Sequence, residues 1–433
     1  MQLKDLYDIF IASSGICTDN RHIRKDCIFW GLKGDNFDGG MFAEDALEKG
    51  AILAVRESNH ISNNNRLIHT SNSLLLLQQL ANHHRKQFEI PVLAITGTNG
   101  KTTTKELVNS VLSTQYNTHY TKGNFNNHIG VPLTLLEMST DTEIAVIEMG
   151  ANSIGEIQLL CNIAEPTCGL ITNIGKAHLA GFGGIEGVKI AKAELYQYLD
   201  QTRGLIFVNI DEPELVELSA ALEKKILYGS NAVETFQNVS RVELDTLEPF
   251  LQVSFDSKDY GRVVVNTKLL GKYNFNNVMT AIVIGHYFKV PDLKIKEGLE
   301  NYIPGNNRSQ LITKSTNTII LDAYNANPSS MLKALENLSM IKSEMKVAIL
   351  GDMFELGEVS ALEHQEIVDL CLSFHIDLAV FVGSHFHKTI LPKHYLSFEN
   401  TEQVKKWYLN QTFNNACILI KGSRGMKMES ILN

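Results

Sequence analysis

The chain has 433 residues, with 39 Lys+Arg against 48 Asp+Glu for a formal net charge of −9, and is 44% hydrophobic and 20% charged. At about 150 residues per domain, that length holds two to four domains with their own cores, and the composition excludes a disordered or collagen-like chain. The acidic balance, with no block of Lys or Arg, argues against a nucleic-acid coat and leaves only a local basic pocket for anions.

Six cysteines without CxxC or CxxH spacing predict reduced thiols, not a disulfide framework or a zinc site. No stretch approaches the ~20 apolar residues that span a bilayer. Met1-Gln2-Leu3-Lys4-Asp5 lacks the basic start and apolar run of a signal peptide. A cytoplasmic protein with no membrane span is expected.

Residues 1–85 read as a compact N-terminal unit. Turns rich in Gly, Asn and Asp, densest at 33–40, separate short apolar runs at 27–30 and 51–55, and a helix is predicted over 73–87. From Pro91 the pattern changes to alternating strands and helices. Val92-Leu93-Ala94-Ile95-Thr96 reads as a buried parallel strand, followed by a Gly-rich turn and a helix over 101–112. Strands at 144–147, 169–172 and 205–208, with helices over 185–199 and 212–222, continue the alternation. Such a chain builds a doubly wound sheet with ligands at the carboxyl ends of its strands. Residues 248–270 look antiparallel, and Tyr302-Ile303-Pro304-Gly305 reads as a linker. Beyond it, strands at 318–321, 346–350, 378–382 and 417–420, with helices from 328 and 361, form a second, smaller Rossmann-like unit. The expectation is an α/β chain of three domains: a small N-terminal α/β domain (1–85), a central doubly wound domain (86–304) and a C-terminal Rossmann-like domain (305–433).

The sharpest local signal is Gly97-Thr98-Asn99-Gly100-Lys101-Thr102-Thr103, set between a strand and a helix. Only two residues separate its glycines, where the usual phosphate loop has four, but the physics is unchanged. Backbone N–H groups at a helix N-terminus cradle phosphate oxygens, Lys101 neutralises them, and the Thr102 hydroxyl can ligate Mg²⁺. Glu148 ends an apolar strand, where a carboxylate either holds Mg²⁺ or caps the next turn. His178 follows another strand and reads equally as a packing residue or a ligand. Lys192, from spacing alone, is a solvated helix lysine. Asn274 and Asn277 open a helix, as base-edge readers or as caps. Asp322-Ala323-Tyr324-Asn325-Ala326-Asn327-Pro328 and Lys421-Gly422-Ser423-Arg424 each follow a strand of the third unit, the latter at an expected helix start.

Together these motifs resemble the Mur ligases of peptidoglycan synthesis, across all three units. The resemblance is carried by the phosphate loop, Thr18-Asp19-Asn20-Arg21 with Phe37-Asp38-Gly39, and Gly123-Asn124-Phe125-Asn126-Asn127-His128. It extends through Glu148-Met149-Gly150-Ala151-Asn152, Ala177-His178-Leu179, the Asp322–Pro328 run, Leu350-Gly351-Asp352-Met353 and Lys421-Gly422-Ser423-Arg424. Asn20 stands where the family often has Ser, and Tyr273 where many members have His.

The resemblance implies that the central doubly wound domain (86–304) is a P-loop ATPase domain, and that the chain is an ATP- and Mg²⁺-dependent amide ligase acting through an acyl phosphate, as a monomer. The branch implied joins D-alanyl-D-alanine to UDP-N-acetylmuramoyl-tripeptide; a ligase adding the third amino acid, or a folylpolyglutamate-type ligase, is the alternative. It further implies that Gly97, Thr98, Asn99, Gly100, Lys101, Thr102 and Thr103 bind the ATP phosphates and that Glu148 completes the metal site. His178 aligns with a second-metal histidine, and Lys192 with a lysine that related ligases carbamoylate. Asn274 and Asn277 match adenine-side asparagines, while Arg308 and Asp322 reach the nucleotide on closure. Asp19 and Arg21 fall in the UDP-binding unit, and Asn126, Asn127, Asn325 and Asn327 among the substrate contacts.

Overall fold

The computed structural model describes residues 2–34, 36–58, 64–230, 241–248, 250–305 and 307–432. Residue 35 of the N-terminal turn run and residue 249 lie outside the described residues. No described helix is long and apolar enough to cross a membrane. All six cysteines are free and buried.

The N-terminal sheet has four parallel strands in the order Ile16–Cys17, Ile28–Trp30, Leu53–Glu57, Leu67–Thr70. Its Ile28, Trp30, Leu53 and Val55 pack with Leu6 and Phe10 of helix Leu3–Ala12 and with Leu77 and Leu80 of helix Ser73–Arg85. That same core continues into Val92, Val131, Leu135 and Ile147 beyond the helix. Polar contacts follow the same path: Gln78 Nε2 donates to His128 O over 3.0 Å, and Arg85 Nε donates to Ala164 O over 3.0 Å.

The central sheet has six parallel strands, in the order Lys225–Tyr228, Leu205–Asn209, Cys168–Ile171, Val92–Thr96, Ile144–Glu148, Thr118–Tyr120. Alternate residues of Val92–Thr96 feed two cores: Val92 and Ala94 join one, Leu93 and Ile95 the other. Burial on both faces is why that strand is apolar throughout. Helix Lys101–Leu112 leaves it through Gly100, whose φ of +82° is open to glycine without strain. The antiparallel segment forms a separate three-stranded sheet, Val242–Thr246, Gln252–Ser257 and Gly261–Asn266.

The C-terminal sheet runs Gln310–Lys314, Asn317–Asp322, Ala416–Lys421, Met345–Gly351, Leu378–Val382, Leu396–Phe398, with only the first pair antiparallel. Three expectations are corrected. The helix expected over 212–222 is Pro213–Leu218, with only Leu215 buried, because the chain must turn back into the edge strand Lys225–Tyr228. The segment after Ala416–Lys421 starts no α-helix; it makes two short 3₁₀ turns, Arg424–Met426 and Met428–Leu432. Edge strands Gln310–Lys314 and Leu396–Phe398 appear where no strand was expected, since neither carries a buried apolar run.

Candidate active site

Parallel strands from two sheets end in polar residues that meet at one cavity of about 400 Å³. The central unit contributes Thr98 to Thr103, Asn126, Asn127, Glu148 and His178; the C-terminal unit contributes Arg308, Asp322, Tyr324, Asn325, Asn327 and Lys421.

The phosphate loop is locked from three sides. Thr172 Oγ1 donates to Asn99 O over 2.6 Å, and Asn99 N donates to Asn173 Oδ1 over 3.0 Å. A Cβ on Gly97 would fall 2.0 Å from Thr172 Oγ1, so only glycine permits this approach. Lys101 Nζ folds back to donate to Gly97 O (2.7 Å) and Thr98 O (3.0 Å). Burial pushes its pKa down, with Glu148 opposing and Arg308 adding to the shift.

Glu148 is 1% exposed, and one of its oxygens is fully engaged. Thr102 Oγ1 donates to Oε1 over 3.1 Å, and Asn126 Nδ2 donates to the same atom over 2.8 Å. Oε2 is buried without a hydrogen-bond partner and lies 3.8 Å from Lys105 Nζ. An orphaned anionic oxygen beside a threonine hydroxyl fits a hard cation. Among the described residues no three His, Cys, Asp or Glu side chains converge as a metal cluster. Glu148 and Thr102 thus suit Mg²⁺, an ion that commonly keeps several waters and takes few protein ligands.

Asn277 and Asn274 are buried at the start of helix Asn274–Tyr287. Thr104 Oγ1 donates to Asn277 Oδ1 (3.0 Å), and Asn277 Nδ2 to Asn274 Oδ1 (2.8 Å). Across the cavity, Lys421 Nζ reaches Asp322 Oδ2 at 2.5 Å, and Ser309 N donates to Asp322 Oδ1 over 3.0 Å. The Arg308 guanidinium lies 3.6 Å from the centre of the Tyr324 ring, and its buried Nε has no hydrogen-bond partner. A cation with a spare donor is suited to a phosphate. Lys101 and Arg308 thus bring cations from two units to the wall of one cavity.

Residues 95–285 match the Mur ligase middle domain, and residues 307–424 match the Mur ligase, glutamate ligase domain. The chain is 37% identical to the UDP-N-acetylmuramoyl-tripeptide–D-alanyl-D-alanine ligase of Bacillus subtilis, covering 96% of this chain and 92% of that protein. To the Escherichia coli ligase of the same name it is 31% identical, covering 98% and 93%.

The chain belongs to the Mur ligase family.

Its fold matches a crystal structure of MurF from Acinetobacter baumannii with a TM-score of 0.83 at 31% identity, covering 96% of this chain and 92% of that one. It also matches MurF ligase from Thermotoga maritima in complex with ADP, at a TM-score of 0.84 and 25% identity, covering 96% of each chain.

Most of the site residues expected for a Mur ligase line this one cavity, but four do not. Gly97 stands just behind its wall. Lys192 is 3% exposed on helix Ile185–Gln201, its Nζ 5.4 Å from the Phe182 ring. It is not the solvated lysine that spacing alone suggested. Burial, with Lys101 adding, lowers its pKa to about 7, against the opposing carboxylates of Glu156 and Glu194. Asp19 and Arg21 pair with each other on the N-terminal unit, Arg21 Nη2 to Asp19 Oδ2 at 2.6 Å and Nε to Oδ1 at 2.9 Å. The Arg21 hydrogen bonds hold the Asp19 carboxyl well below the usual carboxylate range. His178 lines the cavity and abuts Glu355 of the C-terminal unit. Burial depresses its pKa, Glu355 opposes, and Lys101 and Lys192 add to the fall.

Sequence reasoning missed Lys105 and Glu355. Lys105 is fully buried, donates to Thr121 O over 2.6 Å and pairs with Glu106 at 2.8 Å. Its signal was present: it shares the apolar stripe of Val108 and Leu112, at three- and four-residue steps.

Proposed function

We propose that this Mur ligase joins D-alanyl-D-alanine to UDP-N-acetylmuramoyl-tripeptide, converting ATP to ADP and phosphate. The observation that carries the reading is the full-length likeness to ligases of that name. The shared cavity, with Lys101 and Arg308 on opposite units, fits the chemistry. The N-terminal unit (1–85), with Asp19 and Arg21, takes the nucleotide sugar; the central unit (86–304) takes ATP; the C-terminal unit (305–433), around Asn325 and Asn327, takes the dipeptide. Asn126 and Asn127 face the acceptor peptide from the central unit. The enzyme works in the cytoplasm, as a monomer.

The tripeptide's terminal carboxylate attacks the γ-phosphorus of ATP; the bond to the β-bridging oxygen breaks and ADP leaves. The dipeptide's free amine then adds to the acyl-phosphate carbonyl. The tetrahedral adduct expels phosphate, the nitrogen loses a proton, and the amide remains. Both first reactants are anions, so Lys101 and the backbone N–H groups of Gly100 to Thr103 must offset their repulsion before in-line attack. Thr102 and Glu148 would hold a Mg²⁺, with His178 and a carbamoylated Lys192 at a second ion, and these cations supply charge neutralisation on the phosphates. Asn274 and Asn277 orient the adenine end. Asp322 holds Lys421 and the Ser309 backbone beside Arg308. Water would destroy the acyl phosphate, so a cavity closed by two units also protects the intermediate.

ADP release tests the reading directly. With UDP-N-acetylmuramoyl-tripeptide as acceptor, D-alanyl-D-alanine should drive turnover and single amino acids should not. Turnover with a single amino acid on the dipeptide-bearing nucleotide, or with glutamate on a folate, would transfer the chain to the alternative ligases.

A further inference from the structure

Glu355 belongs to the C-terminal unit, four residues beyond strand Met345–Gly351, yet its Oε2 abuts Nδ1 of His178 in the central unit. The contact is close but not aligned as a hydrogen bond. The Glu355 side chain is 59% exposed, so a small rotation of its carboxylate can align it. Both backbones are left-handed, φ 51° at His178 and φ 64° at Glu355, a conformation that neighbours must hold in non-glycine residues. Those neighbours dock the two units together. Ala180 N donates to Glu355 O over 3.3 Å, and Lys176 Nζ lies 2.6 Å from Glu363 Oε1. Lys176 N also donates to Ser329 Oγ over 3.0 Å.

A neutral imidazole ligates a cation through the nitrogen that has no proton, and the partner of its other nitrogen decides which one that is. Nδ1 of His178 meets a carboxylate, which can only accept its proton; Nε2 then keeps a lone pair. His178 lines the cavity that also holds Glu148 and the phosphate loop. We infer that Glu355 is a positioning residue: docking of the C-terminal unit brings its carboxylate to Nδ1–H of His178, fixing Nε2 as the ligating nitrogen for a divalent cation that binds with ATP. The inference rests on the ligase reading above. It makes cation affinity at His178 a property of the docked state, because the carboxylate comes from the other unit.

The test uses the full chain, Mn²⁺ as the probe and β,γ-imido-ATP as the nucleotide. Mn²⁺ binding is titrated by electron paramagnetic resonance, and spin-echo spectra report an imidazole nitrogen on the metal. Glu355→Ala should weaken the nitrogen-coordinated Mn²⁺ by roughly 10- to 100-fold, the usual cost of removing such a supporting partner. Glu355→Gln, which keeps an acceptor oxygen, should weaken it less. In a His178→Ala background the Glu355→Ala change should have no further effect. Wild-type Mn²⁺ affinity in Glu355→Ala, or an equal loss with His178 already removed, would overturn the inference. Wild-type ADP release with D-alanyl-D-alanine is measured alongside. Its absence counts against the ligase reading, whereas normal release with Mn²⁺ binding indifferent to Glu355 counts against this inference alone.

Discussion

Asn327 Nδ2 donates to Asn99 Oδ1 over 2.9 Å, linking the C-terminal unit to the phosphate loop. The same side chain caps helix Pro328–Met340, its Oδ1 accepting from Ser330 N at 2.8 Å. One residue therefore serves a helix end and an inter-unit bridge, and two substitutions separate the roles. Asn327→Ser keeps a good cap but loses the reach to Asn99. It should leave the melting temperature unchanged while raising KM for ATP roughly 2- to 12-fold, the equivalent of about 0.5–1.5 kcal/mol for a neutral hydrogen bond. Asn327→Ala should add a stability loss of about 1 kcal/mol. Steady-state kinetics and thermal melts decide both, and unchanged KM in the serine variant would detach the bridge from nucleotide use.

Lys101→Ala should lower kcat by ~10²–10³ or more, by analogy with loss of one transition-state donor. Its ammonium contacts only loop carbonyls and the cavity, so the fold should survive. Near-normal turnover in a well-folded variant would sink the phosphate-loop assignment.

For Lys192, the expected outcome is carbamate formation. CO₂ adds only to the neutral amine, and a pKa lowered to about 7 leaves a large neutral fraction at physiological pH. Wild-type protein under ¹³CO₂ at pH 7.5 should give a carbamate signal in ¹³C NMR that Lys192→Ala lacks. The alanine variant should lose activity and regain part of it with added formate or acetate. Full activity without any additive would refute the role.

Acid should destabilise the protein through its buried histidines. His84 Nε2 faces Met138 O at 3.1 Å, an atom that can only accept, so Nε2 carries the proton and Nδ1 accepts from Tyr7 Oη at 3.0 Å. Burial lowers the pKa of His84 below 6.5, and burial shifts His119, His286 and His364 the same way. Below about pH 6.5 the unfolded chain then binds more protons than the folded one, so stability falls as pH falls through that window. Melting temperatures should drop from pH 6.5 to 5, with a shallower drop in His84→Gln. A flat profile down to pH 5 would contradict this.

What the sequence made legible follows from where apolar pattern is strong. Val92–Thr96 and Lys101–Leu112 match their expected bounds because a strand buried on both faces and a one-sided helix carry unmistakable periods. Gln310–Lys314 was invisible because it is an edge strand with no buried residue, held by pairing with Asn317–Asp322. Among site residues, Glu148 and Asp322 were legible because each ends a strand. Glu355 was not: it lies in a loop, and only the packing of two units brings it to His178. Lys192 was misjudged by spacing because its helix, Ile185–Gln201, has Gly187, Val188, Ala191 and Leu195 around it, and small residues conceal how deeply that face is buried.

Helix Ser73–Arg85 has a consequence for synthesis on the ribosome. Its partners lie downstream: His128 O for Gln78, Met138 O for His84, and Ala164 O and Glu165 O for Arg85. At ~5–20 residues per second, translation takes about 4–16 s to carry the chain the ~80 residues from that helix to its last partner. During that interval the first sheet has emerged with one wall of its core unbuilt, so the apolar side of the helix is what a nascent-chain chaperone would meet. The N-terminal unit closes only when more than a third of the central unit has been made.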